Sequence, residues 1–432
     1  MQQYALYQHA LDALLSEACW GRKPVSQTDL HPHLNGGAAA SLRDLVSRSH
    51  IRRSGAFFTG EELGRQLVEA ASQDRMDKTP AWDPTCGAGD LLLRWSERLP
   101  VSEDLSATLL QWGECLHGQD IHPEFIAVAK RRLALAAIGR GSCLQKGKAL
   151  RVDRLFPNLQ NRNLLRGKLC VPDSSVILMN PPFTMIATPI DCNTWSSGRV
   201  AFAAVALFRC LTAARQGQRI AAILPDVLRS GSRYAEWRRT IEELATNANV
   251  YVVGKFSSHA DVDVFVLSVE AGTPTNSGID WFGQEGFQSR RTLASICDIH
   301  VGPVVPHRHV PAGPNVPYLT TADAPPWCEM SRVTSFLRFE GTRVKGPFLA
   351  IRRTSSPSDN TRAIATLLNT KQSVALENHL ISIRPRDGTI KTCRKLQDYM
   401  KTKVVRDWLD QRIRCRHLTV SAIRQMPIPL DL

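Results

Sequence analysis

The chain has 432 residues, 43% hydrophobic and 22% charged, the composition of an ordinary globular protein with room for two or three domains. No apolar stretch approaches the roughly 20 residues of a membrane helix, and the eleven cysteines form neither a CxxC pair nor a Cys/His cluster at zinc spacing; no membrane contact and no metal are expected, and thiols kept reduced in a cytoplasm are. The net charge of +14 is uneven, because residues 281–432 hold 23 Lys and Arg against 12 Asp and Glu while residues 1–280 hold 31 against 28, which points to a polyanionic partner for the last third.

The first stretch, "MQQYALYQHALDALLSEACWGRK", reads as an amphipathic helix without the layout of a signal peptide, and residues 1–50 look helical. From about 51 to 275, short β-rich runs ("AWDP", "GECLHGQDI", "SSVILMN", "RIAAILP", "NVYVVGKF", "DVFVLSVEA") alternate with helical patterns. That alternation predicts a doubly wound α/β sheet. "GTPTNSGID", residues 272–280, is a turn-rich boundary, and a mixed α/β region follows it. The expected division is 1–50, 51–275 and 276–432.

Four stretches in the α/β part carry chemistry. "RRSGAFFTGEELGRQLV" sets Thr59 before a helix with Glu61 and Glu62 in its first turn, which read locally is an N-cap. In "AWDPTCGAGDLLLRW" a strand ends at Asp83-Pro84, a glycine turn follows, and a helix begins near Asp90. Gly87 and Gly89 let the backbone approach a ligand, although a tight βα turn is the plainer reading. Asp83 would repel a phosphate, so a ligand with a cation fits better, such as the amino group of S-adenosylmethionine. "GQDIHPEFIAVAKRRL" puts Asp120 at the end of the second strand, as an acceptor for ribose hydroxyls or as a helix cap. In "VILMNPPFTM" four apolar residues read as a buried strand that the prolines cannot continue. The strand must stop at Asn180, leaving a stiff, polar-then-aromatic tip at the sheet edge where ligands bind.

Taken in order, "GAFFTG", "DPTCGAGDLL", "GQDIHPE" and "NPPF" resemble the signatures of adenine-specific DNA methyltransferases. The order resembles the gamma arrangement of type I restriction-modification methylation subunits and related single-chain enzymes. Residues 217–243 resemble the strand and helix that follow the catalytic motif there, so the likeness covers about 51–270. It implies a Rossmann-like sheet that binds S-adenosylmethionine through Thr59, Asp83, Pro84, Gly87, Gly89 and Asp120. It also implies methyl transfer to N6 of a flipped adenine, with neither metal nor covalent intermediate. Asn180 and the Pro181 carbonyl would accept the amine hydrogens, Pro181 and Pro182 would fix φ, and Phe183 would stack on the base. "VVGKFSSHADVDVFVLS" resembles the segment that gives a second aromatic, here Phe256, which by itself reads equally well as a core residue. Family members often carry an Asp before the catalytic strand; "QNRNLLRGKL" offers Asn163 for the cofactor adenine, with Asp153 further back.

In the last third, "LASICDIHVGPVVPHRHV" followed by "VPYLTTAD" resembles the opening of target-recognition domains in specificity subunits, which implies double-stranded DNA as partner. "FLAIRRTSSPSDNTRAIATLL" gathers Arg352, Arg353 and Arg362 around Ser355, Ser356 and Asn360, all donors suited to phosphates, and Arg also suits guanine edges. The tail adds Arg412, Arg414 and Arg416, of which Arg414 and Arg416 are candidate DNA contacts, with solvation or pairing with Asp407 and Asp410 an equal reading. A separate restriction endonuclease or other defence-system subunit is a further expected partner, since no nuclease motif is found. Two rivals stay open: an RNA or protein-glutamine methyltransferase with the same Asn-Pro-Pro-Phe chemistry, and a non-catalytic DNA-binding module.

Overall fold

The computed structural model describes residues 2–21, 25–72, 79–173, 175–257, 260–273, 278–283, 291–355, 359, 361–414, 417–430 and 432. The chain divides into two units, residues 1–228 with 234–280, and residues 229–233 with 281–432.

In the first unit each apolar run bounded by turn residues becomes a strand, and helices carry the chain back to the same edge. The strands β1 (Ala81–Asp83), β2 (Leu116–Asp120), β3 (Leu159–Asn161), β4 (Val176–Met179) and β7 (Arg219–Pro225) lie parallel to their neighbours. A long antiparallel hairpin, β8 (Ala245–Ser257) and β9 (Ala260–Ala271), completes a seven-stranded sheet in the order β3-β2-β1-β4-β7-β9-β8. β5 (Met185–Ala187) and β6 (Arg199–Ala201) form a separate two-stranded ribbon. The doubly wound α/β reading is correct, and the six β-rich runs all became strands. β3 and the ribbon were not foreseen: they are three-residue elements, too short to carry a strand pattern of their own.

The chain moves outward from β1 through β2 to β3, then returns to place β4 on the other side of β1. The sheet therefore has its topological switch point between β1 and β4, where the carboxyl ends of adjacent strands open a crevice. β4 is buried along its whole length, as a central parallel strand should be.

The described residues among the first 50 are mostly helical and pack as part of this unit. Leu11, Leu15 and Leu30 share one core with Phe125, Val128 and Leu135 of the helix Pro123–Gly139. Polar contacts reinforce the docking, with Arg131 binding Asp12 at 2.7 Å.

The second unit is mixed α/β, as read. One sheet runs β10-β18-β15-β16-β12 and a second runs β13-β11-β17-β14. Their strands are β10 (Cys297–Val301), β11 (Asn315–Leu319), β12 (Glu329–Met330), β13 (Phe336–Arg338), β14 (Val344–Lys345), β15 (Phe348–Arg352), β16 (Ala365–Leu368), β17 (Ser373–Leu376) and β18 (Leu380–Pro385). The helices Ile390–Met400, Lys403–Arg412 and Val420–Arg424 each start on a threonine whose hydroxyl caps the first turn. Among the described residues no helix is long and apolar enough to cross a membrane, and no group of His, Cys, Asp and Glu is placed to hold a metal.

Candidate active site

The two motifs that flank the switch point face each other across it. From β4 the chain runs into Asn180, which is half-buried, and its Nδ2 donates to the Thr59 hydroxyl at 2.8 Å and to the Phe57 carbonyl at 3.4 Å. Those two acceptors fix the carboxamide plane and leave Oδ1 with no donor among the described residues. Thr59, 8% exposed, is thus an orienting partner of Asn180. It is not the N-cap of the following helix: Gly60 is, and no side chain caps it.

From β1 the chain enters a turn through Asp83, which is 2% exposed and accepts the Thr85 N–H at 2.9 Å. Burial pushes its carboxyl up to about 8. Gly87 and Gly89 have φ of 50° and 83°, the left-handed region where a Cβ is strained. A Cβ on Gly87 would meet the Phe58 ring at 2.9 Å, and one on Gly89 would meet Ala129 at 2.9 Å. The first glycine therefore makes room for the Phe58 side chain. Phe58 sits edge-on to Phe125 with centroids 5.1 Å apart, and was not picked out by the sequence reading. Thr85 Oγ1 is buried without a hydrogen-bond partner, an unmet polar atom in the turn that a ligand can satisfy.

Asp120, at the end of β2, accepts from Gly87 N–H at 3.1 Å and His122 N–H at 2.8 Å. It ties the glycine turn to the end of the second strand. Burial raises it to about 6 against those bonds. Beside it opens a cavity of ≈ 630 Å³ lined by Ile121, Asn163, Arg166 and Cys170 among others. Asn163 lines that cavity, its Oδ1 accepting the Leu165 N–H at 2.8 Å. Asp153 instead pairs with Arg131 at 3.0 Å and does not line this cavity.

Pro181 is buried, and Pro182 and Phe183 are half-buried. The Phe183 and Phe256 rings meet at 84° with centroids 5.5 Å apart. A ring inserted between two others needs roughly 7 Å, two van der Waals contacts. The two rings therefore form a single aromatic wall next to Asn180, not a slot.

The arginines expected to meet DNA are placed differently. Arg362 is 1% exposed and binds Asp410 at 2.5 Å, Ser355 Oγ at 2.8 Å and the Ile413 carbonyl at 3.1 Å. It braces the C-terminal helices, and the expectation of a DNA contact is corrected: a fully buried guanidinium needs its acceptors inside the protein. Arg352 and Arg353 are half-buried and donate to the carbonyls of Ala324 and Asn378. Arg414 is half-buried; Arg416, Ser356 and Asn360 lie outside the described residues. Basic side chains gather elsewhere in the second unit: the exposed Arg343 and Lys345, the half-buried Arg384 and the exposed imidazole of His300 line a groove of ≈ 520 Å³ whose acidic member, Asp298, is paired with Arg386 at 3.1 Å. In β10 and β18 the alternation sends Ile299, Ile381 and Ile383 into the core, and puts Asp298, His300, Ser382 and Arg384 on the opposite face.

No family model and no curated protein match the sequence. Solved structures do. The type IIL restriction-modification enzyme MmeI, in complex with DNA, matches 94% of this chain over 71% of its own, with TM-score 0.54 and 11% identity. A Listeria monocytogenes protein described as a class I S-adenosylmethionine-dependent methyltransferase matches 57% of this chain over 71% of its own, with TM-score 0.38 and 15% identity. A modification subunit of a type I restriction enzyme from Vibrio vulnificus YJ016 matches 58% of this chain, with TM-score 0.40 and 19% identity. The chain spans 51% of the length of that subunit. At 11% identity the likeness to MmeI speaks for the fold, a Rossmann-like sheet resembling that of a restriction-modification enzyme.

Proposed function

We propose that the chain is a DNA adenine N6-methyltransferase that uses S-adenosylmethionine and serves a restriction or phage-defence system. The observation that carries the reading is Asn180, its carboxamide held by Thr59 and Phe57 at the switch point across from the glycine turn. The turn fits the cofactor: a crowded glycine cradle, the unmet Thr85 hydroxyl, and a carboxylate at each of two strand ends. Asp83 would face the amino group, Asp120 the ribose hydroxyls, and Asn163 the adenine end. Bound S-adenosylmethionine supplies a methyl carbon on a sulfonium sulfur, and displacement breaks that C–S bond with its electron pair leaving on sulfur.

An adenine amine is a poor nucleophile because its lone pair is delocalised into the ring. Asn180 Oδ1 and the Pro181 carbonyl, accepting one N–H each, draw the amine out of plane and aim the lone pair at the methyl carbon. The proton released after transfer passes to solvent. The Phe183–Phe256 wall gives an extruded base a face to stack on.

The raised Asp83 carboxyl makes a pH prediction. Its folded pKa lies above that of an unfolded chain, so the stability it contributes is present below about pH 4 and is lost as pH rises through about 8. A cation beside it prefers the ionised form, so cofactor binding is weakest where the carboxyl is protonated. The rise in melting temperature given by S-adenosylmethionine should therefore be larger at pH 8 than at pH 6, and Asp83→Asn should flatten the difference. An equal gain at both pH values would mean that Asp83 does not face a charge on the ligand.

The cationic groove is the proposed DNA-backbone surface of the second unit. Replacing Arg343 and Lys345 by Ala should reduce the slope of log K against log salt by about 0.9 per lost phosphate contact, equally on specific and random duplex. An unchanged slope would move the interface elsewhere.

Single-molecule methylation sequencing of DNA from an unmethylated host expressing this chain tests the whole reading. N6-methyladenine confined to one motif establishes it. No new mark, with methyl transfer to RNA or to a glutamine side chain in the same cells, overturns it.

A further inference from the structure

We infer that Ile190 is the side chain that enters the DNA stack when the target adenine leaves it, an inference that rests on the DNA-methyltransferase reading. Ile190 is 89% exposed, the most exposed large apolar side chain among the described residues. Isolated exposed apolar residues are ordinary on protein surfaces. The setting of this one is not. The β5–β6 ribbon grows directly from the catalytic tip: Thr184, next after Phe183, accepts the Phe202 N–H at 2.8 Å, and Thr188 N–H closes on Gly198 at 2.9 Å. At its far end a 3₁₀ turn, Ile190–Cys192, carries the isoleucine.

That turn is held from below. Both carboxylate oxygens of Asp191 bind Arg209, at 2.9 and 3.0 Å, and Arg209 also donates to the Leu164 carbonyl at 3.2 Å. Cys192 is fully buried, and Trp195 packs edge-on against Phe208 with centroids 5.6 Å apart. The ribbon is thus anchored on the helix Phe202–Ala213, and at its tip Ile190 is far more exposed than the other large apolar side chain left open there, Met185 at 38%. An exposed Ile gains from burial once it is covered, so a gap in the stack is a favourable place for it. Four extended residues from Thr184 to Ala187 span roughly 13 Å, more than the roughly 8.5 Å depth of the DNA major groove. Extruding a base leaves a dry, flat-walled gap whose neighbours have lost a stacking partner, and an apolar wedge fills such a gap. Ile190 carries no group that could read a base edge, so its contribution is to the cost of extrusion and not to sequence choice.

The test compares two duplexes bearing the methylated motif, one with the target adenine paired to thymine and one with it opposite an abasic site. A base already unpaired needs little help to leave the stack. Full-length Ile190→Ala and Ile190→Ser should methylate the paired duplex roughly tenfold more slowly in single turnover, and the unpaired one within about twofold of the parent chain. Fluorescence of 2-aminopurine at the target position should rise less with the variants on paired DNA only. Equal losses on both duplexes, or none on the paired one, would overturn the inference while leaving the enzyme reading intact. Absence of methylation of either duplex by the parent chain would instead remove the enzyme reading, and this inference with it.

Discussion

Asn180→Ala is expected to slow methyl transfer by about 10²–10³-fold while S-adenosylmethionine affinity stays within about twofold. The carboxamide offers Oδ1 towards the crevice because its Nδ2 is held by Thr59 and Phe57. That oxygen is one of two acceptors proposed to reshape the amine, and an acceptor held in advance acts only on the reacting group. Alanine removes it without disturbing Asp83, Asp120 or the glycine turn, none of which hydrogen-bonds Asn180. The loss should therefore fall on the chemical step and not on cofactor binding. Asn180 is half-buried, so water can replace the donor that Thr59 and Phe57 lose, and the variant should fold. Single-turnover transfer on the mapped motif and calorimetric titration of the cofactor measure the two halves. Undiminished transfer would refute the role of Asn180, and a matching loss of cofactor affinity would turn it into a residue of the cofactor site.

The strand ends of the first unit were legible because each rests on local rules. Two prolines stop β4 at Met179, and a glycine turn after Asp83-Pro84 needs no distant partner to be recognised. Fold class followed from the same alternation. What stayed hidden depends on contacts far along the chain. Nothing local in "AKRRL" marks its arginines as internal, yet Arg131 is 6% exposed and Arg132 is fully buried, because the N-terminal helices pack over that helix. Arg362 sits in a run of hydroxyl and charged residues that looks like a phosphate site, and only the arrival of Asp410, 48 residues later, shows it to be internal. Thr59 precedes a helix and so suggests a cap, whereas its partner is Asn180, 121 residues on. Local pattern identifies strands, turns and the motifs they carry. It does not identify which polar side chains the fold will enclose.

Arg132 is where that enclosure has the largest expected effect. Its guanidinium donates to Asp90 at 2.7 Å and to the carbonyls of Ala88 at 2.7 Å, His33 at 2.8 Å and Leu34 at 3.2 Å. One side chain thus joins the glycine turn to the N-terminal helices. Arg132→Met fills a similar volume but leaves a carboxylate and three carbonyls without their donor. Breaking a buried pair from one side costs about 3–5 kcal/mol, whereas the exposed Arg65–Glu61 pair, also 2.7 Å long, is worth at most about 1 kcal/mol. Urea unfolding of the cofactor-free chain should therefore shift far more for Arg132→Met than for Arg65→Ala. Because Ala88 lies between the two glycines of the turn, cofactor affinity should weaken in parallel, and Arg132→Lys, which keeps the charge with fewer donors, should fall between. Unfolding of Arg132→Met at the parent concentration of urea would mean that the four acceptors find other donors. A loss of stability with no loss of affinity would confine the arginine to bracing the N-terminal helices, and the glycine turn would then hold its shape through its bonds to Asp83, Gln119 and Asp120.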